Sequence, residues 1–366
     1  MLSLDDVLAA RDRVAKTTRH TPLEYSHTFS AMTGADIHLK LELFQRTGAF
    51  KLRGATNRIA TLSASERENG VVTASAGNHA QGVALAANRI GVGSTIVMPE
   101  HAPISKVKAT RSYGGDVVLH GEDYDEAAER AHEIEREQGR TYVHAFDDEY
   151  VMAGQGTIGL EIYGDLPEVE TVVVPIGGGG LISGIATALK GQDESIRVVG
   201  VQAEGAASVA ESLEKGERVE RDGVETIADG IATRTVGERT FELIQERVDE
   251  VVTVSDSAAI TERKFDYADD ETMVPALCGG NIDLNTLTNV IMRGLVETGR
   301  YLRIRTVLKD RPGALEELVG VISDLDANIY AIEHDRTNRD VTMNDAEVEL
   351  DLETRGPDHV EALLSA

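Results

Sequence analysis

The sequence predicts an α/β protein built on parallel sheets covered by helices, followed by a small α+β module, and two observations carry that expectation. From residue 36 onward, short β-branched strands alternate with segments of 3.6-residue apolar periodicity, the pattern of parallel strands joined by helical crossovers. Near residue 300 the alternation changes to strand, turn, helix, strand, strand and helix. Residues 1–300 therefore read as one region and 301–366 as a separate module.

The strands are 71–75, 95–99, 116–120, 141–145, 171–175 and 197–201, rich in Val, Ile and Thr and apolar on both faces, as a sheet covered on both sides requires. Between them, 80–88 and 181–189 carry Ala, Leu, Ile and Val at helical spacing, and the acids of 123–137 mark a solvated helix face. In such sheets ligands gather where the carboxyl ends of strands lead into helix N-termini, so the motifs at or near those turns are the candidate functional residues.

Composition narrows the function classes. The 366 residues suffice for two domains with cores, and a net charge of −27 repels phosphate backbones and anionic membranes, which excludes nucleic acid and membrane surfaces as partners. No apolar run is long enough for a bilayer and the acidic start does not resemble a secretion signal, so a cytoplasmic protein is expected. The single cysteine, Cys278, fits a reducing compartment. Acids are spread over helix faces rather than gathered in a tail, and adaptation to a salty cytoplasm is the reading favoured here.

Four motifs can carry chemistry. Lys51, in GlnArgThrGlyAlaPheLysLeuArgGlyAla (45–55), stands where a strand is expected to hand over to a helix, and its amine can form an imine with an aldehyde cofactor; alone it is more often a solvated lysine. SerAlaGlyAsnHis (75–79) offers a hydroxyl, an amide and free helix N–H groups for a substrate carboxylate, the plainer reading being a helix cap by Ser75 or Asn78. His79 lacks a second histidine at metal spacing and reads as packing. GlyGlyGlyGlyLeu (177–181) follows a strand and opens a helix, which makes an anion seat suited to phosphate; one or two glycines would serve a mere turn. Cys278, before Gly279, Gly280 and Asn281, is either inert core or a weakly polar group facing a ring nitrogen.

These segments, in this order and together with ValMetAlaGlyGlnGlyThr (151–157), ThrIleAlaAspGly (226–230) and GlyGlyAsnIleAspLeu (279–284), resemble the fold-type II pyridoxal-phosphate enzymes, most closely the threonine dehydratases. The resemblance implies two parallel-sheet subdomains, the smaller (about 50–149) inserted in a larger one made of 1–49 and 150–300. It implies that Lys51 carries the cofactor, that Phe50 and Asn78 meet its ring, and that Gly177, Gly178, Gly179, Gly180 and Leu181 hold its phosphate. Cys278 would face the pyridine nitrogen, and Ser75, Ala76, Gly77, Asn78 and His79 would bind the substrate carboxylate. The implied reaction is dehydration and deamination of L-threonine, with L-serine as a secondary substrate and the proton for the leaving hydroxyl supplied by the cofactor phosphate. Serine racemases are similar but carry a serine where this chain has Ala76, which favours dehydration. A racemase or serine dehydratase, and a cofactor-binding or amino-acid-sensing pseudoenzyme, are the alternatives. Glu225 and Asp229 lie near a cation site of some relatives, so a monovalent or divalent ion is an open reading, as is a backbone cap at Asp229.

Residues 301–366 resemble an ACT domain, with AspArgProGlyAlaLeu (310–315) turning into its helix. That implies a homo-oligomer, dimer or tetramer, and an amino-acid effector near Gly313 and Asn328; the alternative is a dimerisation module without ligand. Two departures stand out. The interval 257–272 is shorter than in relatives, which carry a glycine-rich turn there, and the module lacks its final strand and so reads as truncated.

Overall fold

Among the described residues the strands form two sheets that are parallel but for one pair, and one antiparallel sheet. The structure, a computed structural model, describes residues 1–255, 264–336, 342 and 344–366 in two compact units, Met1–Asn281 and Ile282–Ala366. Residues 257–263 of the shortened interval lie outside the described residues.

In the first unit a six-stranded sheet runs Leu23–Tyr25, Asp36–Lys40, Thr272–Pro275, Thr171–Pro175, Arg197–Ala203, Glu250–Val254, parallel except for its first pair. A four-stranded parallel sheet runs Asp116–Leu119, Ser94–Met98, Val71–Ala74, Thr141–Tyr142. The central strands Val71–Ala74 and Ser94–Met98 are buried throughout, which is why they read as unbroken apolar runs. The expected strand 141–145 is only Thr141–Tyr142, because the chain turns away at His144.

One helix, Glu149–Asp165, joins the two halves. A Cβ on Gly154 would stand 2.6 Å from Gly54 Cα, and one on Gly184 would stand 2.7 Å from Gly156 N. The helix therefore meets Lys51–Ala60 on one side and Gly180–Gln192 on the other at backbone-to-backbone distance. The glycines of 151–157 thus set the spacing between the helix that carries Lys51 and the helix that follows the tetraglycine. Separate apolar cores, one around Val172, Ile182 and Val198 and one around Leu52, Val83 and Ile96, lie against the two sheets.

The second unit holds helix Leu284–Glu297 and an antiparallel sheet ordered Tyr301–Lys309, Asp345–Glu353, Asn328–Asp335, with helices Ala314–Asp324 and Pro357–Ser365. Its core is formed by Ile322, Val348, Leu350, Leu352 and Leu363. The division between units falls after Asn281, ahead of the pattern change near 300, because helix Leu284–Glu297 packs on strand Tyr301–Lys309.

Candidate active site

Lys51 opens helix Lys51–Ala60, but no strand precedes it directly: strand Asp36–Lys40 is followed by a 3-10 turn, Glu42–Phe44, and a loop. That loop is pinned to the cysteine motif, since Phe50 N donates to Cys278 O at 3.3 Å and Gly280 N to Gly48 O at 2.9 Å. Lys51 Nζ donates to Ala145 O at 2.9 Å and lies 5.2 Å from the Phe50 ring centroid. Burial disfavours the ammonium and lowers its pKa to about 8, partly opposed by Cys278.

Asn78 begins helix Asn78–Ile90, and the neighbouring Asn281 sets its orientation. Asn281 Nδ2 donates to Thr47 O and to Asn78 Oδ1, both at 2.8 Å. A carbonyl only accepts, so the Asn281 atom must be the NH2 group; the Asn78 atom is then its oxygen, and Asn78 Nδ2 is left as a donor next to Gly279. Ser75 Oγ accepts from Gly77 N at 3.2 Å and Ala80 N at 3.3 Å, so it caps the helix, whereas the amides of Ala76, Asn78 and His79 have no acceptor among the described residues. His79 is buried with Nε2 against Val143 O at 2.9 Å, and burial followed by Lys51 lowers its pKa to about 3. It is a neutral packing residue.

In the tetraglycine bend, Gly179 has φ +93° and caps helix Gly180–Gln192, and a Cβ on Gly178 would fall 2.5 Å from the Phe146 ring. Packing and backbone conformation thus explain these glycines without any ligand. The anion reading rests instead on the amides of 177–181, which have no acceptor among the described residues and converge at a helix N-terminus.

Residues 144–148 connect these pieces, and the sequence reading overlooked them. Ala145 O takes the Lys51 amine and the Phe146 ring covers Gly178. Asp147 Oδ1 accepts from Arg239 N at 3.0 Å and Thr240 N at 3.2 Å, capping helix Glu238–Arg247, and Thr240 Oγ1 donates back to Gly178 O at 2.7 Å. Asp148 Oδ1 caps the helix Glu149–Asp165 through Val151 N at 2.9 Å.

Cys278 lies three residues beyond strand Thr272–Pro275 and donates from Sγ to Ala276 O at 3.3 Å. Burial and the Glu42 carboxylate push its pKa up, so it is a neutral thiol. Beneath it lies a charge network that was not read from the sequence. Arg53 Nε and Nη2 donate to Glu42 at 3.0 and 2.7 Å, and Arg53 Nη1 and Nη2 donate to Glu161 at 2.6 and 2.8 Å. Lys40 Nζ donates to Glu161 Oε2 at 2.7 Å.

The structure does not gather the other candidates into sites. Asp229 is exposed and pairs with Lys106 at 3.3 Å, while Glu225 is held by its backbone to Gly205 O at 3.0 Å. Among the described residues no cluster of His, Cys, Asp or Glu suits a metal ion. In the second unit Gly313 caps helix Ala314–Asp324 at φ +89°, and Asn328 donates to Glu353 at 2.9 Å.

A parallel α/β scaffold that sets a half-buried amine beside a helix-N-terminal anion seat, flanked by an amide donor and a neutral thiol, is that of a cofactor enzyme working through an aldehyde phosphate. The chain belongs to the pyridoxal-phosphate dependent enzyme family, whose model matches residues 14–279. The donor set fits the cofactor: free amides for a phosphate, an amine for an aldehyde, Asn78 Nδ2 for a ring oxygen. Over 387 aligned residues the chain is 44% identical to the L-threonine ammonia-lyase of Thermotoga maritima, covering 99% of this chain and 96% of that protein. Among solved structures it is similar to the processed form of threonine deaminase isoform 2 from Solanum lycopersicum, with TM-score 0.75, 39% identity and coverage of 79% and 86%. It is likewise similar to serine racemase from maize, with TM-score 0.75, 33% identity and coverage of 81% and 98%.

Proposed function

We propose that this protein is an L-threonine ammonia-lyase, converting L-threonine to 2-oxobutanoate and ammonia, with L-serine as a secondary substrate. The observation that carries the reading is the short path between amine and anion seat: Lys51 Nζ bonds to Ala145 O, and the next residue, Phe146, lies on Gly178. The near full-length likeness to the Thermotoga maritima L-threonine ammonia-lyase supports it.

When bound, pyridoxal phosphate supplies an electrophilic carbon and an electron sink that acidifies the substrate Cα–H. The chain's own residues do the rest. The amides of 177–181 would hold the phosphate, and Asn78 Nδ2, oriented by Asn281, would meet the ring oxygen. The Ala76, Asn78 and His79 amides receive the substrate carboxylate, fixing Cα against Lys51. Lys51, with its pKa lowered to about 8, is unprotonated often enough near neutrality to accept the Cα proton. Cys278, a neutral thiol, would face the ring nitrogen without holding a proton there, chemistry that would favour elimination over transamination.

The likeness to maize serine racemase motivates a second reading, racemisation. Against it, Ala76 has no group to exchange a proton and Ser75 Oγ is occupied by two backbone amides. A coupled assay of 2-oxo acid release from threonine and serine, with chiral analysis of residual serine, separates the two. Keto acid from threonine is expected; D-serine without keto acid would overturn the assignment. The second unit we read as an ACT-like effector module near Gly313 and Asn328 in a homo-oligomer, so isoleucine should shift the threonine saturation curve. An unchanged curve at every isoleucine concentration removes that part.

A further inference from the structure

The turn formed by residues 144–148 meets Lys51, the glycine bend and three helices, and the imidazole of His144 closes it. His144 Nδ1 accepts from Asp147 N at 2.8 Å and from Phe146 N at 3.2 Å, and its ring stands edge-on to Phe146 with centroids 4.7 Å apart. Two N–H donors aimed at one ring nitrogen require a lone pair on it. An imidazolium, with a proton there, would face them donor to donor and break both bonds.

We propose that His144 is a positioning residue for cofactor attachment: its unprotonated Nδ1 holds the 144–148 turn, and protonation releases Ala145 O from Lys51 and Phe146 from the glycine bend. The residues between the two ends are on the page. Phe146 N and Asp147 N are the groups His144 holds, and they belong to the residues that cover Gly178 and cap helix Glu238–Arg247, from which Thr240 reaches Gly178 O. The titratable groups facing the ring are Asp147 and Asp148 on its own turn, Lys51 from helix Lys51–Ala60, His132 from helix Tyr124–Gln138, His79 from helix Asn78–Ile90, and Tyr142. Burial, offset in part by Asp147, lowers the His144 pKa below the ordinary imidazole range, so the turn is closed at neutrality and opens on acidification.

The proposal rests on Lys51 being the cofactor-bearing amine, so its test has a readout that needs neither cofactor nor substrate. Hydrogen exchange of the segment 141–152 is followed from pH 7 to 4, corrected for intrinsic rates, in wild type, His144→Asn and His144→Ala. Asn places a non-titrating acceptor, Oδ1, where Nδ1 stood. Between the ordinary imidazole value near 6.5 and the lowered His144 value, wild type should lose up to about tenfold more protection per pH unit than His144→Asn, which keeps only the acid loss from shared groups such as His79, and His144→Ala should lack the protection throughout. In parallel, the ratio of pyridoxal-phosphate affinities, His144→Asn over wild type, should rise as pH falls; Lys51 titrates in both proteins and cancels. An acid loss of protection in His144→Asn equal to that of wild type would overturn the proposal even if His144→Ala does not fold. So would a pH-independent affinity ratio. Failure of threonine turnover with both readouts intact would instead indict the substrate assignment.

Discussion

Arg53 and Glu42 form a bidentate ion pair with both side chains fully buried, two residues along the helix from Lys51. Glu161, Thr157 Oγ1 and Arg19 O take the other donors, so the guanidinium sits between two carboxylates, that of Glu42 fully buried and that of Glu161 mostly so. Attraction in such a place is offset by desolvation, and the network contributes little net stability while intact. Removing one member is another matter. Arg53→Met should cost about 3–5 kcal/mol in urea unfolding, since it leaves the buried Glu42 without a cation and Glu161 with Lys40 alone of the two cations that bind it here. Arg53→Lys should recover little of it, because a single ammonium cannot span two carboxylates as a planar fork does. A loss under about 1 kcal/mol in Arg53→Met would show that the carboxylates find other partners.

Lys51 reacts as the free amine, so the rate of cofactor attachment should rise with pH through about 8 and then level off. An ordinary lysine would go on rising to about 10.4. Stopped-flow absorbance after mixing cofactor-free protein with pyridoxal phosphate reads this directly. Lys51→Ala should lose the imine absorbance and turnover together; turnover that survives would refute the scheme.

His79 is neutral in the fold and protonates only near pH 3, whereas an unfolded histidine does so near its ordinary value. The unfolded chain therefore binds the proton first. Stability tied to neutral His79 is complete above about pH 6.5 and drains as pH falls towards 3, by up to about 1.4 kcal/mol per unit. His79→Gln should flatten that slope between pH 6 and pH 4 by roughly this amount; parallel wild-type and variant curves would contradict it.

Asn281→Ala removes the donor that orients Asn78, together with its bond to Thr47 O. Loss of one such hydrogen bond, about 1.4 kcal/mol, should weaken pyridoxal-phosphate affinity roughly tenfold, with Asn78→Ala adding little more in the double variant. Strict additivity would mean the two amides act separately.

With 63 acidic and 36 basic residues, self-repulsion should dominate the effect of salt. Raising ionic strength from about 0.01 M to 1 M shrinks the screening length from about 30 Å to 3 Å, so the melting temperature should climb. A fall would mean that the exposed ion pairs, such as Arg303–Asp351, outweigh the net charge.

The sequence alone determined the alternation of strands and helices, the separate C-terminal pattern and the positions of Lys51, Asn78, Cys278 and the tetraglycine, because these depend on local periodicity and on residue types bound to special turns. It misjudged what stands directly before Lys51, where a 3-10 turn and a loop replace the strand, and it took four glycines as evidence of phosphate when Phe146 and a positive φ at Gly179 already demand them. Only the tertiary structure decided the roles of His144, Asp147, Asn281 and Arg53. Each acts on a partner far along the chain, as Asn281 does on Asn78 and Asp147 on Thr240, and such pairings leave no periodic trace. The buried charges of Lys40, Glu42 and Arg53 are the clearest case. By type they belong on the surface, and only neutralisation together with Glu161, across three chain segments, keeps them inside.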